Sequence, residues 1–173
     1  GVTLPILYLH QHYSSTSGST GTRSDGLARA LAGRRHAVTM ACGRYAGAAT
    51  GLAGPFRRGR RQGHGAGIAV VEFDIPCGNA MGLPARAAAF LRFAAAATRL
   101  ALAGRYDLVI ASSTPLTVAL PALAARALRG TPFVFEVRDP WPELPRALGG
   151  VPTPVLAAMD RLANAACRRA AAV

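Results

Sequence analysis

Short apolar runs alternate along this chain with longer, alanine-rich stretches, and few folds accept that alternation. Strands read at residues 4–9, 37–41, 68–73, 108–111 and 133–137, each bounded by Gly, Pro or small polar residues. Helical periodicity reads at 22–34, 84–103, 116–128 and 154–170; the first of these places Leu27, Ala28, Leu31 and Ala32 on one stripe. Pro84 suits a first helical turn. Ser112-Ser113-Thr114-Pro115 reads as a cap for the third helix, and Pro121 is placed to kink it. The pattern predicts an α/β domain, a Rossmann-like doubly wound parallel sheet with helices on both faces. Residues 43–67, rich in Gly and Arg and without periodicity, read as a mobile loop.

A length of 173 residues suits one domain, residues 1–173. The closing run Arg168-Arg169-Ala170-Ala171-Ala172-Val173 leaves a helix for what reads as the start of another strand, so a chain cut from a longer one is expected. All 20 basic residues are Arg, set against 8 acidic ones, for a formal charge of +12. Such a field favours anionic partners: phosphates, nucleotides, acidic lipid headgroups or nucleic acid. Cys42, Cys77 and Cys167 are odd in number and widely spaced, which argues against a disulfide framework or a structural zinc site and for a reducing cytosol. Arg86, Arg92, Arg99 and Arg105 interrupt the most apolar stretch, well short of the roughly 20 residues that span a bilayer. Any membrane contact is therefore expected to be peripheral, with the helix carrying Phe90, Leu91 and Phe93 or the arginines of residues 57–61 as candidates, although the helix's Ala-rich body favours packing on the sheet.

In an open α/β sheet the ligand sits beyond the carboxyl ends of the strands. Two segments lead there. Ser17-Gly18-Ser19-Thr20-Gly21-Thr22-Arg23 joins the first strand to the first helix, where backbone N–H groups and the helix dipole favour a phosphate and Arg23 can clamp it. The second segment runs from Phe133 through Glu136, Arg138, Asp139, Pro140, Trp141 and Glu143 to Pro145. Glu136 and Arg138, two apart on a strand, share a face and are expected to pair, while Asp139 and Glu143 lie past the strand's end. A salt-bridged turn plugged by Trp141 is the purely structural reading of the same residues.

Other chemistries fit less well. A dinucleotide site needs tight Gly-x-Gly-x-x-Gly spacing after the first strand and an acid about 20 residues on; no acidic residue lies between Asp25 and Glu72, and the Gly63-His64-Gly65-Ala66-Gly67 run precedes a strand. An NADP-type oxidoreductase using Arg44 and a basic nucleic-acid-binding module remain as alternatives, the latter weakened by scattered arginines and a single Trp for stacking. His10, His12, His36 and His64 lack metal-ligand spacing. His10 and His12 read as structural residues near the sheet's carboxyl edge, and His36 as structural.

Leu9-His10-Gln11-His12-Tyr13, the Gly-Thr-Arg turn, Leu27 to Leu31, His36-Ala37-Val38-Thr39, Ala111 to Thr117 and Phe135 to Glu143 together resemble the N-terminal half of family 4 glycosyltransferases. Those are retaining enzymes with two Rossmann-like domains facing across a cleft, the GT-B fold, and the bacterial capsule, exopolysaccharide and O-antigen transferases are the subgroup most resembled. The resemblance implies a nucleotide-sugar donor held mainly by a C-terminal domain absent from this chain, which supplies its own pair of glutamates. It implies a lipid-linked or glycan acceptor, a cytoplasmic protein peripheral to the inner face of the plasma membrane, no specific nucleic acid, no metal and no cofactor. By the same resemblance Gly18, Ser19, Thr20, Gly21, Thr22 and Arg23 face the donor diphosphate, Arg138 and Asp139 are catalytic, and Ser113, Trp141 and Glu143 bind substrate. Fixed N–H and guanidinium groups would then stabilise the charge growing on the departing diphosphate. Arg138 stands where the wider family carries His, Arg35 where relatives carry Gly, and Pro140 where Leu is commoner. The domain alone is expected not to turn over a donor.

Overall fold

A computed structural model describes residues 2–15, 23–65, 67–113, 115–138 and 150–173. In chain order the elements are β1 (Pro5–Leu9), α1 (Arg23–Gly33), β2 (Ala37–Tyr45), β3 (Arg60–Gly65), β4 (Ile68–Cys77), α2 (Leu83–Ala103), β5 (Leu108–Ser112), a 3-10 turn (Leu116–Val118), α3 (Ala119–Arg129), β6 (Phe133–Glu136) and α4 (Thr153–Arg169). They build one mixed sheet in the order β3-β4-β2-β1-β5-β6, in which β3 alone runs antiparallel to its neighbour. The chain steps outward from β1 through β2 to β4, then crosses back along α2 to place β5 on the other side of β1. This reversal opens a crevice beyond the carboxyl ends of β1 and β5.

Residue alternation decides what each face buries. Ile6 and Tyr8 of β1 join Met40, Val70 and Ile110 beneath Ala28 of α1. Leu7 and Leu9 point the opposite way, into a larger cluster with Phe73, Phe133 and Phe135 beneath Ala97 of α2, Ala122 of α3 and Ala166 of α4. Alanine on the helix faces allows close approach to the sheet. The remaining volume is filled by Phe93, which meets Phe73 edge to face with centroids 6.0 Å apart.

Four sequence expectations are corrected. Residues 43–67 are not a loop throughout: β2 continues to Tyr45, and β3 forms a ladder with β4 from Arg60 opposite Phe73 to Gly65 opposite Ile68. An edge strand of Arg, Gln, Gly and His is held by backbone pairing rather than by side-chain burial, so it carries no hydrophobic period. That same strand makes the sheet mixed rather than parallel. The serines before the third helix do not cap it, because the helix opens with the 3-10 turn after Pro115 and has no side-chain cap, while Thr114 lies outside the described residues. Pro121 falls in the first turn of α3, where its missing N–H has no helical acceptor, so the expected kink has no cause.

Among the described residues, Leu52, from the segment after β2, also packs on the face beneath α1. Past α4, Phe135 donates to the Ala172 carbonyl at 2.9 Å and Ala171 to the Phe133 carbonyl at 2.8 Å. Residue 172 thus lies parallel beside β6, the strand start that the terminal run suggested. Among the described residues no helix is long and apolar enough to cross a membrane.

Candidate functional site

Three charged side chains meet where β6 ends. Glu136, the last residue of the strand, accepts from Arg138 Nε at 3.1 Å through Oε1, and the same oxygen lies 3.7 Å from Arg23 Nε at the start of α1. Its other oxygen, Oε2, accepts the Tyr8 hydroxyl at 3.3 Å. The spacing of Glu136 and Arg138 therefore pairs them as expected, and the fold adds Arg23 from the far side of the crevice. The two arginines differ in freedom: the Arg23 side chain is 73% exposed and that of Arg138 only 19%. Burial foremost, with the Glu136 charge, raises the Tyr8 hydroxyl well above the usual range, so it stays protonated and donates.

Ser113 fixes the turn that carries Arg138. Its backbone N–H and its hydroxyl both donate to the Glu136 carbonyl, each at 3.0 Å, and the hydroxyl accepts from the Arg138 N–H at 3.4 Å. The end of β5 is thereby tied to the end of β6. Ser113 was expected to bind substrate; its observed contacts hold the strand ends in place.

On the other side of the crevice, the chain leaving β1 is pinned by three contacts. The buried His10 shares a hydrogen bond with Ser24 Oγ at 2.7 Å through Nδ1. Tyr13 donates to Asp25 Oδ1 at 2.6 Å, and Asp25 also receives Arg29 Nε at 2.8 Å. His12 stacks on Tyr45 with centroids 4.1 Å apart. Burial lowers His10 to about 3, with Arg138 and His12 adding to the effect. Burial lowers His12 to about 4, with Arg86 and Arg138 adding. Both imidazoles are neutral at pH 7, and both feel the Arg138 guanidinium. His36, as expected, is structural: its Nδ1 accepts the Leu4 N–H at 3.2 Å.

Several buried polar atoms in this region have no hydrogen-bond partner among the described residues: Gln11 Oε1, His12 Nε2, Ser112 Oγ, Thr117 Oγ1 and Arg138 Nη2. All five lie at the carboxyl end of β5 or in the segments that follow β1, β5 and β6. Unpaired buried groups are costly, and their gathering at one sheet edge marks it as a place prepared for polar contacts. Among the described residues no three His, Cys, Asp or Glu side chains gather as metal ligands would.

Gly18, Ser19, Thr20, Gly21, Thr22, Asp139, Trp141 and Glu143 lie outside the described residues. Tyr8, His10, Ser24 and the Tyr13–Asp25 pair were missed as site residues in the sequence. A Tyr inside an otherwise apolar strand was the available signal, since a buried hydroxyl demands a partner.

Next to this crevice, beyond the ends of β2 and β4, lies a cavity of about 480 Å³ lined by Gly43, Arg44, Tyr45, Thr50, Arg61, Glu72 and Cys77 among others. Arg61 is its anchor: it donates to Glu72 Oε2 at 2.7 Å and Oε1 at 3.3 Å, to the Gly54 carbonyl at 3.0 Å, and lies 4.4 Å from the Phe56 ring centroid. The buried Glu72 also accepts the Thr50 hydroxyl at 2.9 Å. Gly43 lines the cavity where space is tight: a Cβ there would stand 3.1 Å from the Ile75 carbonyl oxygen.

A family model described as "Glycosyl transferase 4-like domain" matches residues 18–173. No curated protein sequence matches the chain significantly. Among solved structures, the chain is similar to the catalytic domain of starch synthase IV from Arabidopsis thaliana bound to ADP and acarbose, with a TM-score of 0.58 and 15% identity over 80% of this chain and 34% of that one. It is similar to the trehalose 6-phosphate synthase of Burkholderia multivorans at a TM-score of 0.55, with 14% identity over 93% of this chain and 38% of that one. A trehalose-6-phosphate structure from E. coli bound with UDP-2-fluoro glucose matches at 0.53, with 12% identity over 90% and 37%. The chain thus spans little more than a third of the length of these structures, and at such identities the likeness is one of fold.

Proposed function

The chain belongs to the glycosyl transferase 4-like domain family, and from that premise we propose that it is the N-terminal, acceptor-side half of a retaining GT-B glycosyltransferase. The proposed reaction moves a sugar from a nucleotide-sugar donor to a lipid-linked or polysaccharide acceptor in cell-surface polysaccharide synthesis. The donor would be held mainly by a second Rossmann-like domain, and the protein would work in the cytoplasm at the inner face of the plasma membrane, to which its +12 charge would draw it.

One observation carries this reading: the guanidinium groups of Arg23 and Arg138 converge on the Glu136 carboxylate at the carboxyl end of β6. The Arg23–Glu136 contact is long and the Arg23 side chain open to solvent, so an incoming diphosphate can draw Arg23 away from Glu136. Arg138 keeps its Glu136 bond and offers the unpaired Nη2. Charge grows on the leaving diphosphate as the glycosidic bond stretches, and donors already fixed in place stabilise it without reorganising. The backbone N–H groups of Gly18, Ser19, Thr20, Gly21 and Thr22 would add to that stabilisation, Asp139 would orient sugar or acceptor hydroxyls, and Trp141 and Glu143 would line the acceptor side. Same-face attack by the acceptor hydroxyl needs no protein nucleophile.

The test is transfer from a panel of labelled nucleotide sugars by the protein joined to its donor-binding domain. Arg138→Ala is expected to cut turnover roughly 10²- to 10³-fold, the usual size of a lost oxyanion donor, and Asp139→Asn to lower turnover by loosening the hold on sugar or acceptor hydroxyls. Turnover near wild type in both variants would overturn the assignment. The chain alone is expected to bind nucleotide sugars weakly or not at all in calorimetry.

A further inference from the structure

The cavity beyond β2 and β4 lies apart from the Glu136 cluster but joins it through one stacked pair. Tyr45 lines the cavity, and His12, at the crevice, covers one face of its ring. Tyr45 therefore stands between a molecule seated in the cavity and the carboxyl end of β1, the place where transfer is proposed. At about 480 Å³ the cavity falls within the roughly 300–1,000 Å³ typical of small-molecule sites.

Its charges are not equally available. Arg61 and Glu72 saturate each other, with Thr50 and the Gly54 carbonyl taking further contacts, so they form a rigid polar wall. Arg44 is different. Its partner Asp74 does not line the cavity, their contact is a single 2.7 Å bond, and both side chains are about half exposed, while the guanidinium lies 5.0 Å from the Phe56 ring centroid. An exposed pair of this kind is worth little and exchanges readily. The cavity thus offers hydrogen-bonding groups and an aromatic ring, with one arginine that meets Asp74 through Nη1 and keeps further N–H donors for a ligand carboxylate.

We propose that this cavity binds a saccharide unit bearing a carboxylate, with Arg44 taking the acidic group and Tyr45 and the cavity's backbone groups taking the ring. The inference rests on the transferase reading in making that saccharide part of the acceptor, so that the enzyme would extend an acidic glycan. The carboxylate would add selectivity at the entrance, and the stack of Tyr45 on His12 would set how far the ring extends toward Arg138.

Saturation-transfer NMR on this chain, with D-glucuronate, D-glucose and acetate as probes, tests it. Glucuronate is expected to bind roughly three- to fivefold tighter than glucose, the worth of one exposed charge pair, and to shift the ring signals of Tyr45 and His12. Arg44→Gln, a half-exposed change that leaves the core untouched, should bring glucuronate down to the level of glucose. Acetate binding as well as glucuronate, equal affinities for glucose and glucuronate, or an Arg44→Gln variant that keeps the preference would each overturn the proposal. No donor is present in this measurement. Glucuronate binding by this chain with no transfer by the protein joined to its donor-binding domain would sink the transferase reading alone, and an active joined protein whose chain is indifferent to glucuronate would sink the acidic subsite alone.

Discussion

The Tyr8 hydroxyl reaches past a whole strand to bond the Glu136 carboxylate at 3.3 Å, linking β1 to β6 although β5 lies between them. Tyr8 pairs with Ile110 and Ile110 with Val134, so Tyr8 and Glu136 sit on one face, offset by two residues along the strands. The carboxylate that holds Arg138 and meets Arg23 is thus itself held by the central strand of the sheet.

Replacing Glu136 by Gln keeps the shape and removes the charge. Two guanidinium groups lose their anion, and the Arg138 side chain, mostly buried, loses its charged partner. We expect a loss of roughly 1.5–3 kcal/mol in urea unfolding, the worth of a hydrogen bond to a charged group. An unchanged midpoint would mean that solvent already screens the cluster.

Tyr13→Phe removes one partner of a carboxylate that is 1% exposed and leaves Arg29 as its remaining bond among those described. The expected cost is again roughly 1.5–3 kcal/mol. Amide exchange near residues 10–15 should accelerate more than exchange in α2, because the lost bond is what fastens the β1 exit to α1.

Stability should fall as the solution is acidified below neutrality. His10 and His12 are lowered to about 3 and about 4, against an ordinary 6.5. Below pH 6.5 the unfolded chain takes up protons that the native state refuses. The slope is at most about 1.4 kcal/mol per pH unit for each histidine. The loss runs from pH 6.5 down to about 4 for His12 and about 3 for His10. Urea midpoints at pH 7.5, 6 and 4.5 measure it, and His12→Gln should flatten the curve.

Arg35→Gly should stabilise the protein. Arg35 follows α1 with φ of 68°, a left-handed conformation that costs a residue with a Cβ about 1–2 kcal/mol. Glycine relieves most of that strain and gives part of it back in unfolded-state entropy, for a net gain of about 0.5–1 kcal/mol. A lower thermal midpoint would show that the arginine makes a compensating contact.

Residues 57–61 illustrate where reading the chain fails. Their arginines suggested a mobile loop, yet Arg61 anchors a cavity wall, because it reaches an acid in the neighbouring strand, Glu72, that is distant in chain pattern but opposite in register. No local periodicity encodes a cross-strand ion pair.

What the chain determined unaided was local: burial alternates with period two in strands and about 3.6 in helices, so the α/β class and five of the six strands were written in the order of apolar residues. The two-residue spacing of Glu136 and Arg138 likewise dictated their pairing. Strand order belonged to tertiary structure. It set Tyr8 against Glu136, brought Arg23 across the crevice, paired β3 with β4 through the backbone ladder and the Arg61–Glu72 ion pair, and opened a cavity between Arg44 and Glu72. Such contacts depend on which strands lie side by side, a property of the whole sheet's packing that no short window of residues contains.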